Sequence, residues 1–478
     1  MQSAIFLETV SPVFTIPTTA IGSTIDYTVT DYSGVTILQG QVAVTSRQTT
    51  LPLQRLPNNY YVLKMTDHTT PATTTWTLPF TVVAPFSPAA NAPFAVGAHF
   101  SMHDPFDVVE PIVTMGVRSV RDDATWAKIE TKKGIYSFES TDPFMQVLRQ
   151  NALAPLLILD YNNSFYDNGQ TPYDESGFTA FANYAKALVS HYGPQLKAVE
   201  VYNEYNFTFS NGPCARQASC YAQLLRFTYQ AIKSVRPDVT VVAGATFGID
   251  LDWFKDLFAA GGLSFADAIS IHPYSILFVD SPEVRRIAEN IQALQGLIQS
   301  HNHGETKPIW ITEIGWSTAL NFPTEAQQAH YLVRSAALSL SVGVEKIFWY
   351  DFLNDGTAFL DKEQNFGLLR RPDALGYYTP KPAYTAYAVL IRAVAGRTFI
   401  GRESEAPGIS HMRFSDHLHL LWSTPLEQSI VLSATSPVTM MTMTGKKQTL
   451  LPEGGQITLD LSAEPVYLLG DVVGETPR

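Results

Sequence analysis

The sequence predicts an α/β fold: a (β/α)8 TIM barrel flanked by an N-terminal and a C-terminal β-sandwich. Three observations predict it. Between residues 93 and 395, eight short apolar stretches alternate with stretches whose apolar residues recur every three or four positions. Before 88 and after 396, apolar and polar residues alternate with no helical period. Acids, amides, imidazoles and aromatics gather at the ends of the eight apolar stretches, where a barrel keeps its chemistry. A doubly wound open sheet would place a glycine-rich loop after its first strand, and "GAHFSMHD" is not one.

Residues 1–88 read as strands throughout. "TIDYTVTDYSGVTILQGQVAVTS" alternates, with turn chemistry at Asp31 and at Ser33-Gly34, and "LPNNYYVLKMTDH" and "TTTWTLPFTVVA" continue the pattern. "PFSPAANAPF" then reads as a linker, which predicts an N-terminal unit that folds separately. The barrel strands follow: "FAVGAHF" (94–100), "SVRDDA" (119–124), "APLLILDY" (154–161), "AVEVYNE" (198–204), "TVVAGAT" (240–246), "AISIHPY" (268–274), "PIWITEIGW" (308–316) and "KIFWYDF" (346–352). "FTAFANYAKALVSHYG" and "AQQAHYLVRSAALSLSVG" are among the helices between them. From 396 to 478 the strands "HLHLLWS", "QSIVLSA", "VTMMTMTG", "QITLDLS" and "EPVYLLG" form a second β-domain.

The 478 residues exceed one compact core, and 45% hydrophobic with 16% charged residues is an ordinary globular balance. A net charge of -12 argues against a nucleic acid held by its phosphates. No apolar run is long enough to span a bilayer. The first residues lack the basic start and apolar run of a signal peptide. A cytoplasmic protein fits, and so does a secreted or periplasmic one whose signal has been removed. Oligomeric state is not readable. Cys214 and Cys220, in "NGPCARQASC", fit either a loop disulfide or two free thiols.

At the strand ends, strand 1 offers His99 and His103, and strand 2 offers Arg121, Asp122, Asp123 and Trp126. Strand 3 offers Asp160, Tyr161 and Asn162. Strand 4 offers Asn203, Glu204 and Tyr205. Strand 6 offers His272 and Tyr274, and strand 7 Glu313 and Trp316. Strand 8 offers Trp349, Tyr350 and Asp351, while strand 5 offers little. A buried strand avoids Glu unless the residue is paired or used. Strands 4 and 7 stand across an eight-stranded ring from each other, so Glu204 and Glu313 can face one another. Two facing carboxyls suit glycosidic cleavage, one giving a proton to the leaving oxygen and one attacking or activating water.

The "NE" after strand 4 and "TEIGW" at strand 7 resemble clan A glycoside hydrolases, retaining enzymes on (β/α)8 barrels. "GVRSVRDDATWAKIETKKGIYSF" (116–138) and "GYYTPKPAYTAY" (376–387) resemble the family 39 type of β-xylosidases and exopolysaccharide glycosidases. The resemblance implies that Glu204 is acid/base and Glu313 nucleophile, with carboxyl groups about 5–5.5 Å apart. It implies that Asn203 holds the substrate 2-hydroxyl, and that His272 and Tyr274 line the cleft and bond the nucleophile. Arg121 would keep the nucleophile ionised, and Trp349 would lie under the sugar. The expected activity is cleavage of β-glycosidic bonds in a poly- or oligosaccharide, an exopolysaccharide included. No cofactor and no metal are expected.

Each assignment has a plainer counterpart. Either glutamate could sit in a structural salt bridge, Asn203 could cap a strand, and His272 and Tyr274 could be satisfied core residues. Arg121 could pair a structural acid. Trp316 and Trp126, with Tyr205, are further candidates for sugar contact, whereas Trp310 inside a strand reads as core. His99 and His103 with Asp160 lack the His-x-His start of a two-metal barrel. A non-catalytic carbohydrate-binding barrel and a metal-dependent hydrolase are the competing functions.

Overall fold

The computed structural model describes residues 2–18, 21–68, 73–89, 92–404 and 406–477, and the side chains of these up to 474. Ala90 and Asn91 of the expected linker lie outside the described residues.

Eight parallel strands close into one barrel. We number them β1 (Phe94–Gly97), β2 (Ser119–Thr125), β3 (Ala154–Asp160), β4 (Ala198–Val201), β5 (Thr240–Phe247), β6 (Ala268–His272), β7 (Ile309–Ile314) and β8 (Lys346–Trp349). The side-chain period of two sorts each strand into an inner and an outer face. Ala95, Leu156, Ala198, Val242, Ala268, Trp310 and Phe348 meet inside as an apolar plug. Their neighbours in sequence, among them Val96, Val199, Val241, Ile269 and Trp349, face out and merge with the helix layer into the main core. Trp310 thus fills the barrel floor. Above the plug the inner positions turn polar, and this sets where chemistry can occur.

All the barrel strands but β2 and β5 end earlier than the sequence suggests, and two of these ends have a clear backbone cause. β4 stops at Val201 because Tyr202 (φ 67°) and Glu204 (φ 44°) take left-handed backbone that no strand continues through. β7 stops at Ile314, and Gly315 follows because the chain there runs against β8: a Cβ at this position would sit 1.9 Å from the Tyr350 carbonyl oxygen. The helices keep their expected positions. Glu175–Tyr192 starts at Asp174, whose side chain accepts from the Gly177 amide, and Glu325–Ser341 starts at a capping box of Thr324 and Gln327.

The N-terminal region holds a five-stranded sheet, in the order Ile5–Leu7, Thr74–Val83, Asn59–Asp67, Thr24–Asp31 and Thr36–Ala43. Val13–Pro17 pairs with Gln48–Pro52 as a second sheet, and Phe14, Ile16, Tyr61 and Phe80 fill the space between. This region is bound closely to the rest. Gln2–Ser3 pairs with Tyr377–Tyr378, Tyr377 joins the N-terminal core, and Thr385 donates to Thr81 at 2.8 Å. Lys446 reaches Asp31 at 2.9 Å, and the Phe86 ring of the expected linker lies under the Arg392 guanidinium. The linker is therefore not a free tether.

The C-terminal region holds a six-stranded and a three-stranded antiparallel sheet around Ile430, Leu432, Val438 and Leu468. The other face of the larger sheet, through Met412, Leu420, Trp422 and Tyr467, belongs to the barrel's core. Glu283, in the loop after β6, is clamped there. Arg334 donates to both its carboxylate oxygens, and Trp422 Nε1 donates to Oε1 at 3.1 Å. Cys214 and Cys220 form a disulfide in the connection after β4. No helix among the described residues is long and apolar enough to cross a membrane.

Candidate active site

A cleft of about 500 Å³ opens at the C-terminal ends of the barrel strands, and Arg121, Asn203, Glu204, Tyr274 and Glu313 all line it. Arg121 is at its centre. On β2 it shares the inner face, so its guanidinium rises through the barrel interior. Nε donates to Glu200 Oε2 at 2.7 Å, Nη1 to Glu313 Oε1 at 2.5 Å and Nη2 to Asn203 Oδ1 at 2.8 Å. Burial works against its charge, but Glu200 and Glu313 overcome this and hold it above even the ordinary arginine range. Arg118, three residues earlier, has the opposite phase on the strand and does not line the cleft.

Glu313 leaves the end of β7. Oε1 receives Arg121, and Oε2 accepts from the Tyr274 hydroxyl at 3.3 Å. Burial pushes its carboxyl up, and Arg121 opposes this by charge and by hydrogen bond. Glu204 stands opposite, in the left-handed turn after β4, with its amide donating to Ala245 O at 2.9 Å. Its Oε1 pairs with His272 Nδ1 at 3.0 Å, and Oε2 has no hydrogen-bond partner among the described residues. An oxygen of Glu204 lies within 4.8 Å of one of Glu313. Burial and the Glu313 charge push Glu204 up to about 9. Of the two, the carboxyl without the guanidinium holds its proton the more tightly.

His272 sets which oxygen carries that proton. Burial, with Arg121 nearby, pushes the imidazole well below its usual range, so it is neutral. Nε2 lies 3.1 Å from Thr312 Oγ1. Where the Thr312 hydroxyl donates to Nε2, the ring hydrogen is on Nδ1, aimed at Glu204 Oε1, and the carboxyl proton falls on Oε2, the oxygen left to the cleft; in the other tautomer Glu204 Oε1 donates to Nδ1 and Nε2 donates to Thr312 Oγ1.

Several expectations need correction. His272 bonds Glu204 and stands 3.8 Å from Glu313, so its direct partner is the other carboxyl. Trp349 is not beneath the cleft: it points outward into the core and packs on Trp316, ring centres 6.0 Å apart. Trp316 is fully buried, its Nε1 donating to Asp280 O. Trp126 is buried against Tyr184 and donates to Glu130, and Tyr205 is buried between Tyr202 and Tyr221. None of the four reaches the cleft. Its aromatic lining includes Tyr161, Phe207, Phe247, Phe278, Tyr350 and Phe366 instead. His99 and His103 meet Asp355, at 2.8 and 3.0 Å, and not Asp160. Burial works against the His99 charge, yet Asp355 and Asp351 push it up to about 10. Asp160 is buried against Asp123 and held well above the carboxylate range, chiefly by burial. His99, His103 and Asp355 have the atom types and spacing to hold a cation, as do Glu204, His272 and Glu313. In the second group the Arg121 charge already occupies the place beside Glu313.

Sequence reasoning did not single out Glu200, the buried partner of Arg121. Its signal was present: a Glu inside "AVEV", in phase with inward Ala198, needs a cation inside the barrel. Phe247 ends β5 beyond a register shift between Ala243 and Thr246, and Phe278 and Phe366 lie in loops, so strand periodicity left no such signal.

Residues 170–371 match the family model described as the glycosyl hydrolase catalytic core. This span contains both cleft glutamates, Asn203, His272 and Tyr274. No curated protein matches the sequence. Among solved structures, a family 39 glycoside hydrolase from Bacteroides cellulosilyticus WH2 superposes with TM-score 0.84 at 23% identity, covering 98% of this chain and 99% of that one. A monomeric β-xylosidase from Caulobacter crescentus CB15 gives 0.56 at 16% identity, over 80% and 97%. The GH39 enzyme from Xanthomonas axonopodis pv. citri gives 0.55 at 15%, over 80% and 94%. The fold is thus shared from end to end with one family 39 enzyme, and by the glycosyl hydrolase catalytic core matched across its cleft the chain is a glycoside hydrolase.

Proposed function

We propose that the enzyme cleaves β-glycosides with retention, with Glu204 as acid/base and Glu313 as nucleophile. The observation that carries this is the unequal pairing of two close carboxyls. Glu313 is bonded to a guanidinium and Glu204 to a neutral imidazole, with oxygens within 4.8 Å. That spacing suits direct attack by one carboxylate, since inverting enzymes keep their carboxyls about 6.5–9.5 Å apart to admit a water.

In the first step a Glu313 oxygen bonds the anomeric carbon as the bond to the leaving oxygen breaks. The Glu204 proton passes from Oε2 to that oxygen, so a neutral alcohol departs. Glu204, now ionised, takes a proton from water. The hydroxide oxygen bonds the anomeric carbon, the glycosyl–Glu313 bond breaks, and both carboxyls return to their starting states. Arg121 steadies Glu313 as a carboxylate, and Tyr274 holds its second oxygen. Asn203 Oδ1 is occupied by Arg121, so its amide group is the part that reaches the sugar, at the 2-hydroxyl. The C. crescentus β-xylosidase makes a xyloside the first glycone to try. A poly- or oligosaccharide, an exopolysaccharide included, is one class of leaving group to set against others.

Proton NMR of the first-formed sugar tests the mechanism: the β-anomer is expected, and the α-anomer would show inversion. A 2-deoxy-2-fluoro glycoside with a good leaving group should label Glu313, read by peptide mass. A label elsewhere, or none with turnover intact, would remove Glu313 from the role.

A further inference from the structure

The cleft is chemically lopsided. Around Arg121 it is lined by groups that bond hydroxyls: Asn203, Asp123, His99, His103 and Asp355. Beyond Glu204 the lining is mainly phenylalanine, with Thr208, Lys362 and Glu363 as its polar members. Phe207, whose amide donates to the Glu204 carbonyl, stacks on Phe247 with centres 4.4 Å apart and planes at 14°. Phe247 meets Phe278 at 5.8 Å, and Phe278 meets Phe366 at 6.4 Å. The Lys362 ammonium lies 3.6 Å from the Phe278 ring centre. Exposed aliphatic side chains neighbour the wall in sequence: Ile276 (81% exposed) and Leu277 (67%) directly precede Phe278, and Leu360 (66%) lies two residues before Lys362.

A proton donor must border the leaving oxygen, so the surface that runs on from Glu204, away from Arg121, borders the leaving group. A second sugar ring there would present most of its edge hydroxyls to rings that cannot bond them, with Thr208, Lys362 and Glu363 the polar groups beside the wall. An apolar alcohol presents none. We infer that this wall is an aglycone site for a hydrophobic alcohol, and that the substrates are β-glycosides of apolar aryl or long-chain aglycones rather than chains of sugars. The inference rests on Glu204 being the proton donor.

The test uses the full chain. 4-Nitrophenyl glycosides of pentoses and hexoses first identify the accepted glycone. Its methyl and octyl β-glycosides are then compared, the octyl below its micellar concentration, with the disaccharide in which the same sugar is the leaving group. Methanol and octanol leave with similar acidity, so their ratio reports binding and not chemistry. A fully buried methylene is worth roughly four-fold, so burying even two or so of the added ones gives octyl over methyl about ten-fold or more in kcat/KM. The octyl glycoside should also exceed the disaccharide. Phe207→Ser and Leu360→Ser, both at exposed positions, should lower the octyl-to-methyl ratio toward one. A ratio near one in the unaltered enzyme, a disaccharide that outpaces the octyl glycoside, or a ratio unmoved by both variants would overturn the aglycone site while leaving the glycosidase intact. No turnover of any glycoside would overturn the catalytic reading itself.

Discussion

The ends of β4 and β7 bring the same residue into one cleft and give it opposite partners. Both glutamates are deep in one cleft, and burial pushes both carboxyls up. What separates them is one guanidinium. Arg121 touches Glu313 and not Glu204, while a neutral imidazole touches Glu204. A pair of like acids is thereby split into a base and an acid by its neighbours alone. The backbone differs too. Glu313 lies inside β7, where the pairing with β8 shifts register between Ile311 and Ile314, whereas Glu204 is held at φ 44° with Tyr202 at φ 67° two residues before it, left-handed conformations that cost energy and that the surrounding bonds must hold in place.

The largest effect expected from breaking this asymmetry comes from Glu313→Ala. Without a nucleophile no leaving group helps, so activity on alkyl and aryl glycosides alike should fall on the order of 10⁵-fold. Initial rates with methyl and 2,4-dinitrophenyl glycosides of one sugar decide it, and a retained aryl rate would dissolve the distinction. Glu204→Ala should lose about 10²–10⁴-fold on alkyl glycosides. It should still release an acidic phenol, in a burst, and then stall for want of a base. Azide needs no base and should restore turnover to a glycosyl azide of retained configuration. Inverted azide from Glu204→Ala, or retained azide from Glu313→Ala, would exchange the roles.

Arg121→Met removes the source of the difference. Activity needs Glu313 ionised, so it declines as pH falls through the Glu313 pKa. It also needs Glu204 protonated, so it declines as pH rises through about 9. These limbs belong to the pair jointly. Loss of the guanidinium raises Glu313, so the acidic limb should move to higher pH by about one unit or more. The same change leaves Glu200 buried without its cation, a loss of about 3–5 kcal/mol in denaturant unfolding. An unmoved acidic limb in a folded variant would mean that Arg121 is structural only.

The smallest effect is on stability. Glu204 binds its proton far more tightly folded than unfolded, so its contribution is complete below about pH 4.5 and is lost as pH rises toward 9. Glu204→Gln has no such loss. Its melting temperature relative to the parent should climb across that window, by an amount equal to a few kcal/mol at the alkaline end. A difference independent of pH would place the proton elsewhere.

The barrel and its two carboxyls were legible because both depend on repeating constraints: strand spacing, strand-end chemistry and the cost of burying Glu. The tryptophans misled because a strand end has two faces. Phe348 points into the barrel floor and Tyr350 into the cleft, so Trp349 between them must face the helices. That same parity separates Arg121 from Arg118, and it could have been applied to both. The phenylalanine wall comes from the last residue of β5, beyond its register shift, and from loops after β4, β6 and β8, whose paths no period dictates. The Asp355 partner of His99 is likewise far away in sequence, and only the closure of β8 onto β1 brings them together.

The Glu283 clamp gives the C-terminal sheet a part in choosing the substrate. The loop that carries Phe278 is moored at its far end by Arg334 from a barrel helix and by Trp422 from that sheet. A domain that touches no substrate thus acts as the abutment of a cleft wall. Exchange of such sheets between related barrels would shift that abutment and reshape the wall, with every catalytic side chain unchanged. Recombination of whole domains then becomes a route to new specificity, and a graft of the barrel alone would carry its chemistry across without its selectivity.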